Sequence, residues 1–356
     1  MNLSKNITNQ FDPVIDYAKE INMLNGGSAT AVVVIHKDEI VTEHYSGYHS
    51  HEIGARLIGS DSQFHVASAR KSYIGFAVAL AVYEKKIKSI DDFVLHYLPE
   101  LDSQLLQGTT IRHLLTHTHG LHEDENGNIY REFLPGTNWA YRGVNISTLA
   151  QIVKRTTGKS VAELLQENVF APLQFVQTGW RTKENERLVR AITGPKGQTE
   201  LTITPSDEGD DRNLFVSARE FAYWGYLHLK KGKVDGKQVV PKEIFDWTTT
   251  IQSPNLLNKN LPQNGFLWHV KGLPAKQSEI GEKVPRGSYQ ILGVTGPLVL
   301  VIPTYDLVVV RMYNKRNGYG GTDGTKWLHY IREFGDRVVD CMDMKTTTRH
   351  LNANMF

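Results

Sequence analysis

The chain has 356 residues, which at roughly 150 residues per domain means about two domains, or one large domain with insertions. Hydrophobic residues make up 40% and glycine fills 30 positions, a composition that buries a core and excludes disorder as the dominant state. Lys+Arg 40 against Asp+Glu 38 leaves a formal net charge of +2, without the basic excess of a dedicated nucleic-acid binder.

The N-terminus runs into Asn- and Gln-rich sequence with no apolar core of a secretory signal, so cytoplasmic placement is expected. Asp12-Pro13 then opens a helix with Val14, Ile15, Ala18 and Ile21 on one face, and Asn25-Gly26-Gly27 ends it. Residues 31–35, the polar turn His36-Lys37-Asp38-Glu39 and Ile40-Val41 read as a hairpin. From about residue 64 to 260 the pattern is mostly helical. Beyond it, Phe266-Leu267-Trp268, Leu298–Ile302 and residues 307–310 are strand-like. Trp327, Leu328, Ile331, Phe334, Val338 and Cys341 recur at helical spacing, and a polar tail from Lys345 is expected to be loose. The longest apolar runs, residues 31–35 and Leu298–Ile302, are far shorter than a membrane-spanning helix, so no membrane partner is expected. Cys341 is the single cysteine, which rules out an intrachain disulfide and a cysteine-based zinc cluster.

This order predicts an α/β fold in which both ends of the chain, residues 1–63 and 261–345, build one sheet domain. A mainly helical domain, residues 64–260, is inserted between them, and residues 346–356 form the tail. The cleft between two such parts is a natural ligand site.

Ser68-Ala69-Arg70-Lys71 heads a run, Ile74-Gly75-Phe76-Ala77-Val78-Ala79-Leu80-Ala81-Val82, that is apolar on all sides and therefore reads as a buried central helix. Three residues apart on a helix, Ser68 and Lys71 share a face. A serine hydroxyl needs an adjacent base to act as a nucleophile, and a lysine in apolar surroundings loses its proton readily enough to be that base. The spacing also fits an N-cap serine followed by a solvated lysine, but a solvated lysine fits poorly at the head of so apolar a helix.

Around this tetrapeptide, Phe64-His65-Val66-Ala67-Ser68-Ala69-Arg70-Lys71-Ser72 resembles the nucleophile segment of the serine β-lactamase-related family, which includes class C β-lactamases, DD-peptidases, family VIII carboxylesterases and 6-aminohexanoate-dimer hydrolases. Further blocks follow in the family's order. Ile111-Arg112-His113-Leu114-Leu115-Thr116-His117-Thr118-His119-Gly120-Leu121 is similar to "IRHLLTHTSGL", and Pro135-Gly136 with Tyr141-Arg142-Gly143 to "PG…YSN". Val169-Phe170-Ala171-Pro172-Leu173 is similar to "IFxPLG". Residues 214–220 and the 300–310 region extend the match.

The resemblance implies a β-lactamase/transpeptidase-like α+β fold: an antiparallel sheet flanked by the terminal helices. It implies an acyl-enzyme mechanism in which Ser68 attacks a carbonyl while Lys71 and Tyr141 manage protons, with no cofactor and no metal. A neighbouring lysine cation is expected to lower the phenol's pKa so that it shares base work. Gly143 stands where the family often has a substrate-binding Asn. Counting back from Pro303 places the third motif at Ile291-Leu292-Gly293, while matching letters places it at Val294-Thr295-Gly296, and neither supplies the cation common in β-lactam-active members. Leu292, Gly293 and Gly143 are the expected substrate-side residues. Gly293 would let substrate approach the strand, and the N–H groups of Val294 and Ser68 would form the oxyanion hole.

The expected partner is therefore a small ester or amide, uncharged for lack of that cation unless Arg142 or Arg286 replaces it. A β-lactam or D-Ala-D-Ala peptide substrate, and a catalytically silent ligand-binding homologue, are the alternatives. His117-Thr118-His119-Gly120-Leu121-His122 resembles an H-x-H-x-D-H zinc motif, but Leu121 holds the aspartate place. No G-x-S-x-G elbow occurs.

Overall fold

A computed structural model of the chain describes residues 1–194, 197–316 and 325–353. A seven-stranded sheet runs in the order Ser4–Lys5, Glu39–Gly47, Ala29–His36, Leu307–Tyr313, Leu298–Ile302, Tyr289–Leu292 and His269–Val270. Neighbours are antiparallel apart from the first pair. Both ends of the chain thus supply one sheet, whose centre pairs Val33 with Val310 and Val34 with Val309.

Side chains alternate across the strands and so face two different layers. Val32, Val34, Leu298, Leu300 and Val309 pack under the N-terminal helix Asp12–Asn25 and the C-terminal helix Thr325–Ala353. Val33, Ile35, Val299, Val301 and Val308 face the helix Ala218–Leu229. That helix lies within the residues expected to form the inserted helical part, yet it covers the sheet. Behind it runs the central helix Lys71–Tyr83, buried from Lys71 to Ala81. Each large aliphatic or aromatic side chain so buried contributes ~1.5–3 kcal/mol. The expected helical part, residues 64–260, also takes part in a small sheet of Gln63–His65, Leu214–Ser217 and Thr178–Trp180, which begins one residue before it.

Two expectations need correction. Phe266-Leu267-Trp268 is buried but not a strand: Leu267 takes a positive φ of 66°, and pairing begins at His269. The segment bends across the central helix at Gly75, where a Cβ would lie 2.4 Å from the Phe266 carbonyl oxygen. The tail is helical to Ala353 rather than loose from Lys345. Among the described residues no helix is long and apolar enough to cross a membrane.

Candidate active site

Ser68 sits on a short 3₁₀ turn, Ala67–Arg70, and Lys71 is the first residue of the central helix. The residue before Ser68 takes a left-handed conformation (Ala67, φ 47°), uncommon for a residue with a side chain. This bend turns the chain sharply from the strand Gln63–His65 into the helix and leaves Ser68 part-exposed in a cleft.

Lys71 Nζ lies 3.4 Å from Ser68 Oγ and 2.5 Å from Tyr141 Oη. Only 4% of Lys71 is exposed. Burial, reinforced by the neighbouring Arg70 charge and partly offset by Glu279, lowers the Lys71 pKa to about 7. Tyr141 is 37% exposed, but its hydroxyl end lies against the buried amine. Burial raises the phenol's pKa above its ordinary value, and the Ser68 hydroxyl offsets this only in part. The lowering expected from a lysine cation does not occur. The Lys71 amine is only about half protonated at pH 7, and burial of the Tyr141 hydroxyl dominates.

The Tyr141 ring is held by neutral aromatic neighbours. His117, fully buried, lies 4.7 Å away between ring centroids, and His269 stacks at 6.4 Å with 18° between planes. Burial depresses both imidazole pKa values. His269 Nε2 faces Glu279 at 3.2 Å, and Trp139 Nε1 donates to Asn264 Oδ1 at 2.8 Å. His117 belongs to the block similar to "IRHLLTHTSGL", whereas His269, Glu279, Trp139 and Asn264 carry no motif of their own, and only the assembled fold brings these segments together around Tyr141.

Of the third-motif residues, Val294, in the turn after the strand Tyr289–Leu292, lines the cleft with Ser68. Gly293 has a different reason for being glycine: a Cβ there would lie 2.1 Å from the Val66 carbonyl oxygen. It lets the chain approach the turn that carries Ser68. Leu292 is not at the site. It is buried with the N- and C-terminal helices, because strand alternation sends it to the face opposite Ile291. Gly143 caps the helix Val144–Thr157 with open space beside it. Nearby Asn145 does not replace the missing amide, since its Nδ2 donates to Leu114 O inside the core.

The three histidines of the zinc-like motif diverge. His119 Nδ1 accepts from Leu121 N, His122 pairs with Glu132, and His117 faces Tyr141. Among the described residues no group of three or more His, Cys, Asp or Glu could hold a metal. Arg142 is tied to Glu132, and Arg286 lines a separate cavity.

The sheet with its flanking terminal helices, the inserted helices and the cleft between them define a serine hydrolase of the β-lactamase/transpeptidase fold. The chain belongs to the β-lactamase family, whose model matches residues 23–331. It is similar to an uncharacterized protein of Alkalihalophilus pseudofirmus, 50% identical over 96% of this chain and 99% of that one. It is also similar to the esterase EstB of Burkholderia gladioli, 29% identical over 54% of this chain and 55% of that one. A class C β-lactamase in complex with cefoxitin has the same fold, with a TM-score of 0.72 at 14% identity over 90% of this chain and 97% of that one.

Proposed function

We propose that the protein hydrolyses a small ester or amide through an acyl-enzyme on Ser68, with Lys71 as the general base and Tyr141, protonated, as the proton carrier. The observation that carries this reading is the buried Lys71 amine, near-neutral in pKa, within reach of both hydroxyls. In acylation Lys71 takes the Ser68 proton as Oγ bonds to the substrate carbonyl carbon. The Tyr141 hydroxyl gives its proton to the departing oxygen or nitrogen and recovers one from Lys71, so the proton balance closes. Water then attacks the acyl-enzyme, passes a proton back along the same pair and restores Ser68. The oxyanion is assigned to the N–H groups of Ser68 and Val294, a pair of donors of the kind worth ~10²–10³ in rate each.

Hydrolysis of p-nitrophenyl esters and labelling by a fluorophosphonate, in native and Ser68→Ala forms, test the proposal. Native protein should react and Ser68→Ala should not. Because the neutral amine is the active form, kcat/KM should rise with pH on a limb centred near pH 7. Equal labelling of both forms overturns the assignment. The similarity to EstB favours the ester reading, and the absence of a cation at Ile291-Leu292-Gly293 argues against nitrocefin as a good substrate.

A further inference from the structure

The cleft that holds Ser68 has a volume of about 570 Å³ and is lined by three arginines, Arg70, Arg212 and Arg316. Many of the other arginines, such as Arg56, Arg112, Arg142 and Arg219, lie against carboxylates. Among the described residues, none of the three cleft arginines does. Arg70 uses only its Nε, donating to the Asp211 carbonyl oxygen at 2.9 Å. The cleft also contains two carboxylates, but both have local partners: Asp211 Oδ1 accepts from Arg212 N at 2.7 Å, and Glu200 Oε1 from Thr202 Oγ1 at 3.4 Å. Asp210 and Asp211 act on Arg70 only from beyond ion-pair distance, and guanidinium groups left unpaired in this way, in a concave site beside a nucleophile, are suited to bidentate recognition of a carboxylate.

The cleft's position says which part of the substrate meets them. Ser68 and Val294 line it, whereas Lys71 and Tyr141 do not; Arg70 is close enough to act on both of these groups, and Arg212 and Arg316 are the arginines set apart from them. The leaving group must lie on the side where Tyr141 can protonate it. The arginine-lined side therefore receives the acyl part. We infer that the preferred substrates carry a carboxylate on the acyl chain, as in half-esters or half-amides of short dicarboxylic acids, held by Arg70, Arg212 and Arg316. This rests on the Ser68 reading and replaces the uncharged substrate expected from the third motif alone. Attack by Ser68 Oγ breaks the bond to the leaving group and leaves a dicarboxylic monoacyl-enzyme. Water then releases the free diacid.

The test compares mono-p-nitrophenyl glutarate with p-nitrophenyl pentanoate, which has the same acyl carbon count and no charge, each above the Ser68→Ala background. At low ionic strength the native enzyme should favour the glutarate in kcat/KM by about tenfold or more, as one charge-assisted contact allows. The preference should shrink as salt rises. In the Arg212→Gln/Arg316→Gln double variant the ratio should fall toward one. Ser68-dependent turnover of both esters at a ratio near or below one in the native enzyme overturns the inference and leaves the hydrolase reading intact. A native preference that the double variant retains in full overturns the assignment to Arg212 and Arg316. Absence of Ser68-dependent turnover and labelling overturns both.

Discussion

At the scale of single residues the site rests on one lysine kept in an environment hostile to its charge. Lys71 is almost fully buried and has no carboxylate within ion-pair distance among the described residues. In the folded protein its proton leaves near pH 7, whereas the ordinary lysine value is 10.5. Between these values the unfolded chain holds the extra proton, so this group makes the fold more stable as pH rises and less stable as it falls. Lys71→Met should therefore abolish turnover and raise stability at pH 7, by on the order of 2 kcal/mol. The excess melting temperature of Lys71→Met over native should narrow as pH is taken from 7 to 10. A constant excess across that range would mean the folded amine stays charged throughout. Ser68 and Lys71 were legible in the sequence because their spacing and the apolar run behind them follow from local helix geometry. The protonation state of Tyr141 was not, because it depends on how deeply distant loops bury the hydroxyl.

At the scale of elements, the proposed mechanism needs the end of the strand Tyr289–Leu292 and the turn Ala67–Arg70 to approach within backbone contact. Gly293 permits this, and Gly293→Ala would drive a Cβ to 2.1 Å from the Val66 carbonyl oxygen. The strand end must then move away from Ser68, taking the Val294 N–H with it. We expect kcat/KM to fall ~10²–10³ through the oxyanion contact. Leu292→Ala is the informative neighbour. It opens a cavity in the helix-covered layer and should cost ~2–5 kcal/mol in urea unfolding, with kcat/KM of the folded enzyme nearly unchanged. If Leu292→Ala instead lost activity at full stability, its assignment to the core would fail. The motif letters identify the strand but not which way each side chain points, since a shift of one residue reverses every face. The Ala67 bend left no mark in the sequence either, because alanine carries none of the usual signals for a positive φ.

At the scale of the whole molecule, one helix connects sheet and active site. The apolar runs at residues 31–35 and 298–302, one from each end of the chain, made the two-ended sheet readable, while the role of Ala218–Leu229 was hidden inside a mostly helical stretch. Both of its sides are committed. On one, Trp224 stacks on Tyr73 at 4.2 Å and donates to Ser72 Oγ at 3.0 Å, holding the central helix next to Lys71. On the other, Gly225 lies so close to the sheet that a Cβ would be 2.7 Å from both Val299 Cγ2 and Val308 Cγ1. Gly225→Val must therefore lift the helix from the strands or displace those valines, an overpacking that costs typically ~1–3 kcal/mol. The helix carries Trp224, so lifting it would also shift Lys71 and Ser68 relative to Val294. We expect a lower urea midpoint together with a reduced kcat/KM, from a substitution that touches no residue of the cleft, and a milder loss of both for Gly225→Ala. A lower midpoint with native kcat/KM would show that the central helix keeps its place without this support.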